Sequence, residues 1–374
     1  MKNKINSIGL AIFLCANPIS WIFPVSNIIV FICLFSLVLL LLNNNITIFI
    51  NKKLFVFVLI MVLFLFSYAY SLPDRETFLL YFSSFLVFGL TGILYSSCEI
   101  DYKFFYYAVS LIAIISIPGI YLVEFKVFDS LVTASGFYMG VSYGVLRLIL
   151  ALILTVSFLH KRIFKIIAIT VILYYLTFYF KYGTRGALLA LLLFLALIFL
   201  EKRKLLKTRA IIISVILLFL VSFVFIDLLL LIKEILDNFG YNIKAIDKIL
   251  MFNESQQDLS NGRGTLLGYA FLDILDSLFI GNGIAVFDEK YGIYPHNFII
   301  QVLYEGGLLY LIPMLIIIFR FFKIIVSNQY TKEYKIFLIY LFSAGIIELL
   351  FSNVYWRSVF FWLFMGVLLN NKRK

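Results

Sequence analysis

The sequence predicts an all-α protein that crosses a membrane many times. Of its 374 residues, 63% are apolar and only 14% are charged, whereas a soluble domain is about half apolar and about a quarter charged. The apolar residues form continuous runs, and short polar segments with clustered Lys and Arg separate them. Lipid is therefore the solvent for most of the chain, which excludes a cytosolic enzyme, a secreted domain and a disordered chain.

Twelve apolar runs are long enough, or nearly long enough, to cross a membrane as helices, since the hydrocarbon core is about 30 Å thick. Strands are not expected, because the runs are continuous rather than alternating and an isolated strand leaves backbone groups unpaired in lipid. The predicted spans are 8–24, 28–42, 54–72, 78–96, 105–123, 144–159, 164–180, 185–200, 210–232, 297–319, 334–352 and 354–370.

The basic residues indicate which helix ends face the cytoplasm. With the N-terminus inside, the inner segments hold 20 of the 31 Lys and Arg residues and four acidic residues. Positive charge favours cytoplasmic loops, so both termini are predicted to be cytoplasmic. The net charge of +11 is assigned to this topology, and no nucleic-acid partner is expected. The three cysteines have no CxxC spacing, so neither a disulfide framework nor a zinc site is inferred.

One outer segment, 233–296, is much longer than the other connections. A long loop in a compact protein is usually functional or disordered. This loop contains two stretches with amphipathic helical spacing, 241–252 and 264–279, followed by the turn Gly281-Asn282-Gly283. We therefore expect it to fold over the outer membrane face as part of one membrane domain, 1–374.

Of the two histidines, His296 has the setting of a general base. It follows Pro295, precedes Asn297 and opens a span, whereas His160 lies beside Lys161 at a cytoplasmic helix end. A helix N-terminus disfavours extra positive charge, so the imidazole of His296 is expected to be neutral and able to accept a proton. The alternative is that His296 and Asn297 only cap the helix.

Two arginines stand beside glycines near the outer face. Arg185 stands in the run YGTRG, and Arg263 stands in the run NGRG. Flanking glycines leave a guanidinium sterically open, and its planar set of donors suits bidentate contact with phosphate oxygens. The alternative for each is an arginine that only anchors a helix at the interface. Further substrate-binding candidates, each with the same alternative or a capping role, are Asn297, Arg147, Lys181 and Arg357.

These residue types suit sugar transfer from a lipid-linked pyrophosphate. Arginines stabilise the departing pyrophosphate, and a neutral histidine takes the proton from the attacking hydroxyl. Glu305 lies nine residues after His296, on the opposite face of a regular helix, so a helix–helix contact is expected for it instead. No carboxylate cluster, Walker motif or dinucleotide motif is present, so neither a metal nor a cofactor is expected.

The chain contains an ordered set of motifs over residues 181–310. They are Gly183-Thr184-Arg185-Gly186-Ala187, Asn261-Gly262-Arg263, Gly281-Asn282-Gly283, and His296-Asn297 followed by Gly306-Gly307 and Tyr310. This set resembles the O-antigen ligase and polymerase superfamily of bacterial inner-membrane proteins. Thr184 stands where serine is common before the arginine in that superfamily, and the first half of the chain resembles the superfamily only in hydropathy.

The resemblance implies a fold similar to the polyprenyl-dependent glycosyltransferases of the GT-C type. It places the protein in the bacterial inner membrane, with its active face on the periplasmic side. It also implies a glycan donor on undecaprenyl pyrophosphate, pyrophosphate contacts from Arg185 and Arg263, His296 as the base, and no metal. The expected partners are the lipid-linked oligosaccharide, the bilayer, and a chain-length regulator and flippase of the same pathway.

A polymerase is favoured over a ligase, because the outer segment around Gly136-Phe137-Tyr138 is rich in aromatic residues and the composition is biased toward Ile, Phe, Lys and Asn. A polymerase transfers a growing glycan onto the next lipid-linked repeat unit, and a ligase transfers it onto lipid A–core. A flippase would need polar residues at the midplane of several spans, where Leu, Ile, Phe and Val predominate. A non-catalytic scaffold would tolerate loss of His296.

Overall fold

A computed structural model describes residues 1–23, 28–122, 135–182, 184–202, 234–235 and 263–369, with side chains except those of 135–139, 181–182, 185 and 263–267. Within these ranges the chain is helical and has no strand, which confirms the all-α prediction. The α-helices are Lys2–Leu14, Ala16–Ser20, Ile28–Asn43, Lys52–Ser71, Arg75–Ser84, Leu90–Ser96, Tyr102–Ile115, Ser135–Phe158, Arg162–Tyr182, Arg185–Lys202, Arg263–Asp276, Val286–Tyr291, Phe298–Val326, Lys332–Leu341, Ile347–Phe351 and Val359–Leu368.

Six helical segments of the described ranges are long and apolar enough to cross a membrane, as a membrane protein requires. They are Lys52–Ser71, Arg75–Ser96, Gly140–Phe158, Arg162–Phe180, Phe298–Val326 and Lys332–Phe351. Shorter apolar helices at Ile28–Asn43, Tyr102–Ile115 and Val359–Leu368 overlap three other predicted spans. The predicted span 210–232 and the amphipathic stretch 241–252 lie outside the described residues, so the total of twelve spans stays a prediction.

Polar residues in the short connections determine where several helices begin. The side chains of Asn51, Asp74 and Asn297 each accept hydrogen bonds from backbone N–H groups in the first turn of the following helix. First-turn N–H groups have no partner within the helix, and lipid offers none, so such caps stabilise a helix end at the membrane boundary.

Contacts between the connections define two ends of the helix bundle. At the N-terminal face, Asn3 Nδ2 donates to Glu99 Oε2 at 3.2 Å, and Lys53 Nζ donates to Ser96 Oγ at 3.2 Å. The loop face is the opposite end, where segment 277–297 rests against the ends of neighbouring helices. There, Ile284 N–H donates to Ser67 Oγ at 2.8 Å. The charge pattern assigns the N-terminal face to the cytoplasm, and this sidedness remains an expectation.

The spans differ in how deeply they lie inside the bundle. In the apolar window of Lys332–Phe351, 83% of the sequence is buried inside the protein, and the share in Gly140–Phe158 is 78%. The buried share is only 17% in Lys52–Ser71 and 28% in Phe298–Val326. The first two are therefore central, and the other two are peripheral, with apolar sides open to lipid. A buried ion pair between Arg147 and Glu348 joins the two central spans.

The peripheral helix Phe298–Val326 is broken at Gly307, where φ is 59° and ψ is −158°. A break in a membrane helix leaves backbone groups without helical partners, and these groups need other partners inside the protein. Segment 278–283 provides them. The four hydrogen bonds run from Asn282 N–H to Tyr304 O at 2.7 Å, Gly283 N–H to Glu305 O at 3.1 Å, Leu308 N–H to Leu278 O at 2.9 Å and Leu309 N–H to Phe279 O at 3.2 Å.

We call Gly281, Gly306 and Gly307, together with these four hydrogen bonds, the glycine joint. A β-carbon at Gly281 would lie 2.6 Å from the carbonyl carbon of Glu305, and one at Gly307 would lie 2.7 Å from Ile280 N. Gly281 also has a positive φ of 79°. Two glycine motifs that are separate in the sequence therefore meet in a single structure that fixes the loop to the broken helix.

Candidate active site at the loop face

The three predicted catalytic residues each lie at the start of a helix. Arg185 is the first residue of Arg185–Lys202, and Arg263 is the first residue of Arg263–Asp276. His296 stands directly before Asn297, which caps Phe298–Val326. A helix N-terminus carries unpaired N–H groups and a partial positive charge that favour anions. The three positions therefore suit a phosphate-containing ligand.

The start of Arg185–Lys202 lies at the loop face. A β-carbon at Gly186 would lie 2.8 Å from Cβ of Phe351, and Phe351 ends the helix that precedes Asn353 at the loop face. Thr184 N–H donates to Ser142 Oγ at 3.2 Å. The side chains of Arg185, Arg263 and Lys181 lie outside the described residues, so their predicted roles beside His296 stay predictions.

His296 is half-buried and has a left-handed backbone conformation, with φ at 54°. The centroid of its ring lies 4.0 Å from that of Tyr294, and the rings are tilted by 44°. Asn297 Oδ1 accepts hydrogen bonds from the N–H groups of Ile299 at 3.0 Å and Ile300 at 3.2 Å. The side chain that caps the helix is thus that of Asn297.

A chain of contacts connects His296 to the buried ion pair. The Tyr294 hydroxyl accepts a hydrogen bond from Asn353 N–H at 3.3 Å, and Asn353 Nδ2 donates to Glu348 Oε1 at 3.1 Å. Glu348 pairs with Arg147 through its other oxygen. Arg147 is 7% exposed, so its guanidinium belongs to this interior network rather than to an interface. Sequence reasoning did not identify Tyr294 or Asn353 as site residues. The sequence feature that points to this network is the charge of Glu348 inside an apolar run, because a charged residue within a membrane span usually has a functional or structural partner.

Removing the Arg147 guanidinium alone, by Arg147→Met, is expected to lower the free energy of unfolding by about 3–5 kcal/mol, because the Glu348 carboxylate then stays buried without its partner. The double variant Arg147→Met, Glu348→Met should recover most of that loss, since two apolar side chains replace the pair. Thermal unfolding in detergent measures both. If the single variant matched the wild type in stability, the ion pair would not support the fold.

Glu305 lies in the outer part of the broken helix, nine residues after His296. It is 2% exposed, and its carboxyl oxygens accept hydrogen bonds from three donors. These donors are Gln301 Nε2 at 2.8 Å, Tyr355 hydroxyl at 2.6 Å and Trp356 Nε1 at 3.0 Å. The predicted contact with a neighbouring segment is therefore confirmed, and it fixes the outer part of the broken helix to segment 355–356.

Arg357 is exposed at the loop face, beside an acidic group. Its guanidinium carbon lies 5.9 Å from the centroid of the Tyr81 ring, and the Tyr81 hydroxyl is hydrogen-bonded to Asp288. Burial raises the pKa of the Asp288 carboxyl above its usual range, while the hydrogen bond from Tyr81 and the charge of Arg357 act in the opposite direction. Arg357 is thus a charged group that an anion at the loop face can reach.

A cavity of about 300 Å³ lies at the opposite end of the bundle, at the N-terminal face. Its lining includes Asn3, Ser96, Glu99, Thr331 and Tyr334. The described lining contains none of the predicted site residues, so this cavity is separate from the candidate active site.

Comparison with protein families finds a match for a central part of the chain. Residues 170–315 match the family model for O-antigen ligase. This part of the chain is therefore similar to the O-antigen ligase/polymerase superfamily. The matched range covers less than half of the chain, and it contains Arg185, Arg263, His296 and the glycine joint. A search of the curated proteins finds none that matches the chain.

The match to the O-antigen ligase family model confirms the resemblance of the motifs. Members are glycosyltransferase-like enzymes, and the family match does not distinguish polymerases from ligases. The match begins within Arg162–Tyr182 and ends within Phe298–Val326. It therefore includes every helix start at which a predicted catalytic residue stands.

Proposed function

We propose that the protein is a polymerase of a surface polysaccharide in the bacterial inner membrane. It transfers a growing glycan from undecaprenyl pyrophosphate onto the next lipid-linked repeat unit, at the periplasmic side, with both termini in the cytoplasm. The observation that carries this proposal is the O-antigen ligase match over 170–315, whose range contains three helix starts with Arg185, Arg263 and His296. Two cationic side chains and one imidazole at helix N-termini suit a diphosphate and its acceptor.

In the proposed reaction, His296 accepts the proton of the attacking sugar hydroxyl. The acceptor oxygen forms a bond to the anomeric carbon while the bond from that carbon to the pyrophosphate oxygen breaks. The electron pair of the broken bond goes to the pyrophosphate, and Arg185 and Arg263 stabilise the resulting charge. No step requires a metal.

The further substrate contacts differ in how well their surroundings suit the role. Arg357 is exposed and reachable by an anion, which supports it. Arg147 is buried and paired with Glu348, which favours an indirect role at the loop face. Asn297 caps the helix after His296, and Lys181 precedes the motif that contains Arg185.

The variants Arg185→Ala and Arg263→Ala are expected to lower glycan transfer by a factor on the order of 10²–10³ each, because each removes a group that stabilises the developing charge. Glycan length in a deletion strain complemented with each variant measures transfer, and immunoblotting of membranes measures insertion. Arg162→Ala is the matched control, since Arg162 begins a helix and lies exposed, away from the predicted site. Normal chain growth in both test variants would contradict the proposed roles.

A ligase is the second candidate, because the matching family is described as O-antigen ligase. Deleting a polymerase should leave single repeat units attached to lipid A–core, whereas deleting a ligase should leave no glycan attached. A flippase would instead translocate the lipid-linked sugar in reconstituted vesicles without forming glycosidic bonds, and a scaffold would support chain growth after loss of His296.

A further inference from the structure

The helix Arg263–Asp276 has three chemically different sides. One side packs against the protein, where Ala270 and Ile274 are 0% and 1% exposed. A second side is polar, because Asp273 accepts hydrogen bonds from Lys290 Nζ at 2.7 Å and Tyr291 hydroxyl at 2.8 Å. These two sides would be sufficient for an amphipathic helix between protein and water.

The third side is apolar and exposed. Phe271, Leu272 and Leu275 are 56%, 62% and 56% exposed, and the next turn adds Phe279 and Ile280 at 72% and 56%. In water, so many neighbouring apolar side chains would be costly, since burial is worth about 25 cal/mol per Å². Large exposed apolar patches mark contacts with other molecules or with membranes.

Two hydrogen bonds make this apolar side continuous with the lipid-facing sides of two spans. Leu309 N–H donates to Phe279 O at 3.2 Å, and Leu309 begins an exposed row with helical spacing on the peripheral span Phe298–Val326. The row consists of Leu309, Ile312, Ile316 and Phe319. The Tyr70 hydroxyl donates to Ile280 O at 3.3 Å, and Tyr70 lies on the other peripheral span, Lys52–Ser71.

We propose that Phe271, Leu272, Leu275, Phe279 and Ile280 rest in the bilayer at the loop face, so that phospholipid acyl chains are their partner. A helix with one apolar and one charged side lies at the boundary between headgroups and acyl chains. The polar side with Asp273 then faces water, and the buried side faces the protein.

This placement also determines the depth of Arg263 in the membrane, and its relevance to a substrate rests on the proposed function. Arg263 begins this helix, so an interfacial helix holds its backbone near the depth of lipid headgroups. The pyrophosphate of a lipid-linked donor lies at that depth.

Spin-label accessibility in liposomes tests the proposed contact without any measurement of glycan transfer. Cys15, Cys33 and Cys98 are replaced by serine or alanine in the full-length chain, and a nitroxide is attached at Leu272→Cys or Phe279→Cys. Asp276→Cys is the matched control, because Asp276 is a charged and exposed residue of the same helix. Collision with oxygen reports lipid, and collision with a water-soluble nickel chelate reports water. Labels at 272 and 279 should collide more with oxygen than with nickel, and the label at 276 should show the reverse.

Nickel accessibility at 272 and 279 equal to that at 276 would show a water-exposed surface and overturn the proposal. Low accessibility to both reagents would show that protein covers the surface, either another segment of this chain or a second copy, and would also overturn it. If the cysteine-free protein fails to fold, Leu272→Trp and Asp276→Trp in the cysteine-containing protein replace the labels. Brominated phospholipids should then quench the added fluorescence of Leu272→Trp more strongly than that of Asp276→Trp, and equal quenching would contradict the proposal. Either result stands whether or not the enzyme transfers sugars.

Discussion

Replacing His296 by alanine is expected to abolish glycan transfer while the protein still folds and inserts. A positioned base typically contributes a factor of about 10²–10⁴ to a rate. His296 is half-buried at the start of Phe298–Val326, and Asn297 rather than His296 supplies the cap. The loss of the imidazole should therefore affect proton transfer more than helix stability. Glycan length on gels and protein amount in membranes measure the two effects separately.

Two further variants control for effects other than the loss of a base. His296→Asn keeps a residue type that tolerates the positive φ of 54° at this position but cannot accept the proton as imidazole does. It should be as inactive as His296→Ala. His160→Ala should retain full activity, because His160 is exposed in the connection between Ser135–Phe158 and Arg162–Tyr182, away from the predicted site. Chain growth in both His296 variants would remove the base from the proposed mechanism.

Replacing Gly307 by alanine is expected to disrupt the glycine joint. The conformation at Gly307, with φ at 59° and ψ at −158°, is essentially restricted to glycine and costs other residues on the order of 1–3 kcal/mol. An added β-carbon would also collide with the backbone of Phe279. We expect a loss of several kcal/mol in stability, measured as a lower Tm in detergent, together with loss of transfer activity because the loop detaches from the helix that carries His296.

Gly268→Ala is the matched control for this variant. Gly268 lies inside the helix Arg263–Asp276, and a β-carbon there would meet nothing within 4 Å. Alanine should therefore raise stability by about 0.5–1 kcal/mol, since glycine is a weak helix former. Equal effects of Gly307→Ala and Gly268→Ala would show that the joint does not hold the loop.

Local sequence signals predicted the helical class and several boundaries correctly. The predicted amphipathic stretch 264–279 corresponds to Arg263–Asp276, and the predicted start at 297 corresponds to the cap Asn297. These features depend on neighbouring residues, because apolar periodicity and capping act within a few turns. The contact of Glu305 with another segment followed from helical geometry in the same way.

Non-local pairing could not be predicted from the same signals. Arg147 was interpreted as a substrate contact or an interfacial anchor, because a single chain does not show that its span lies beside the span with Glu348. The structure joins them inside the bundle. The break at Gly307 could not be predicted, because Gly307 lies inside the apolar run 297–319 and such a run predicts an uninterrupted span.

The candidate site was predicted in part. His296 and Arg185 were assigned to the starts of predicted spans, and the described backbone has them there. Arg263 was assigned only to the outer loop, and it begins the helix Arg263–Asp276. Tyr294 and Asn353 were missed. Tyr294 lies two residues before His296, so its ring contact is local, but the Asn353 hydrogen bond depends on a turn that arrives from another span.

The break at Gly307 changes which part of the protein determines the position of His296. In an unbroken helix, the residues after 298 would follow the tilt of the whole span. Here, hydrogen bonds to segment 278–283 and the Glu305 contacts with Tyr355 and Trp356 fix the outer part of the helix instead. We therefore expect residues 306–309 to absorb bending or tilting of the lower part of the span as a membrane changes thickness, so that the imidazole keeps its position relative to the loop.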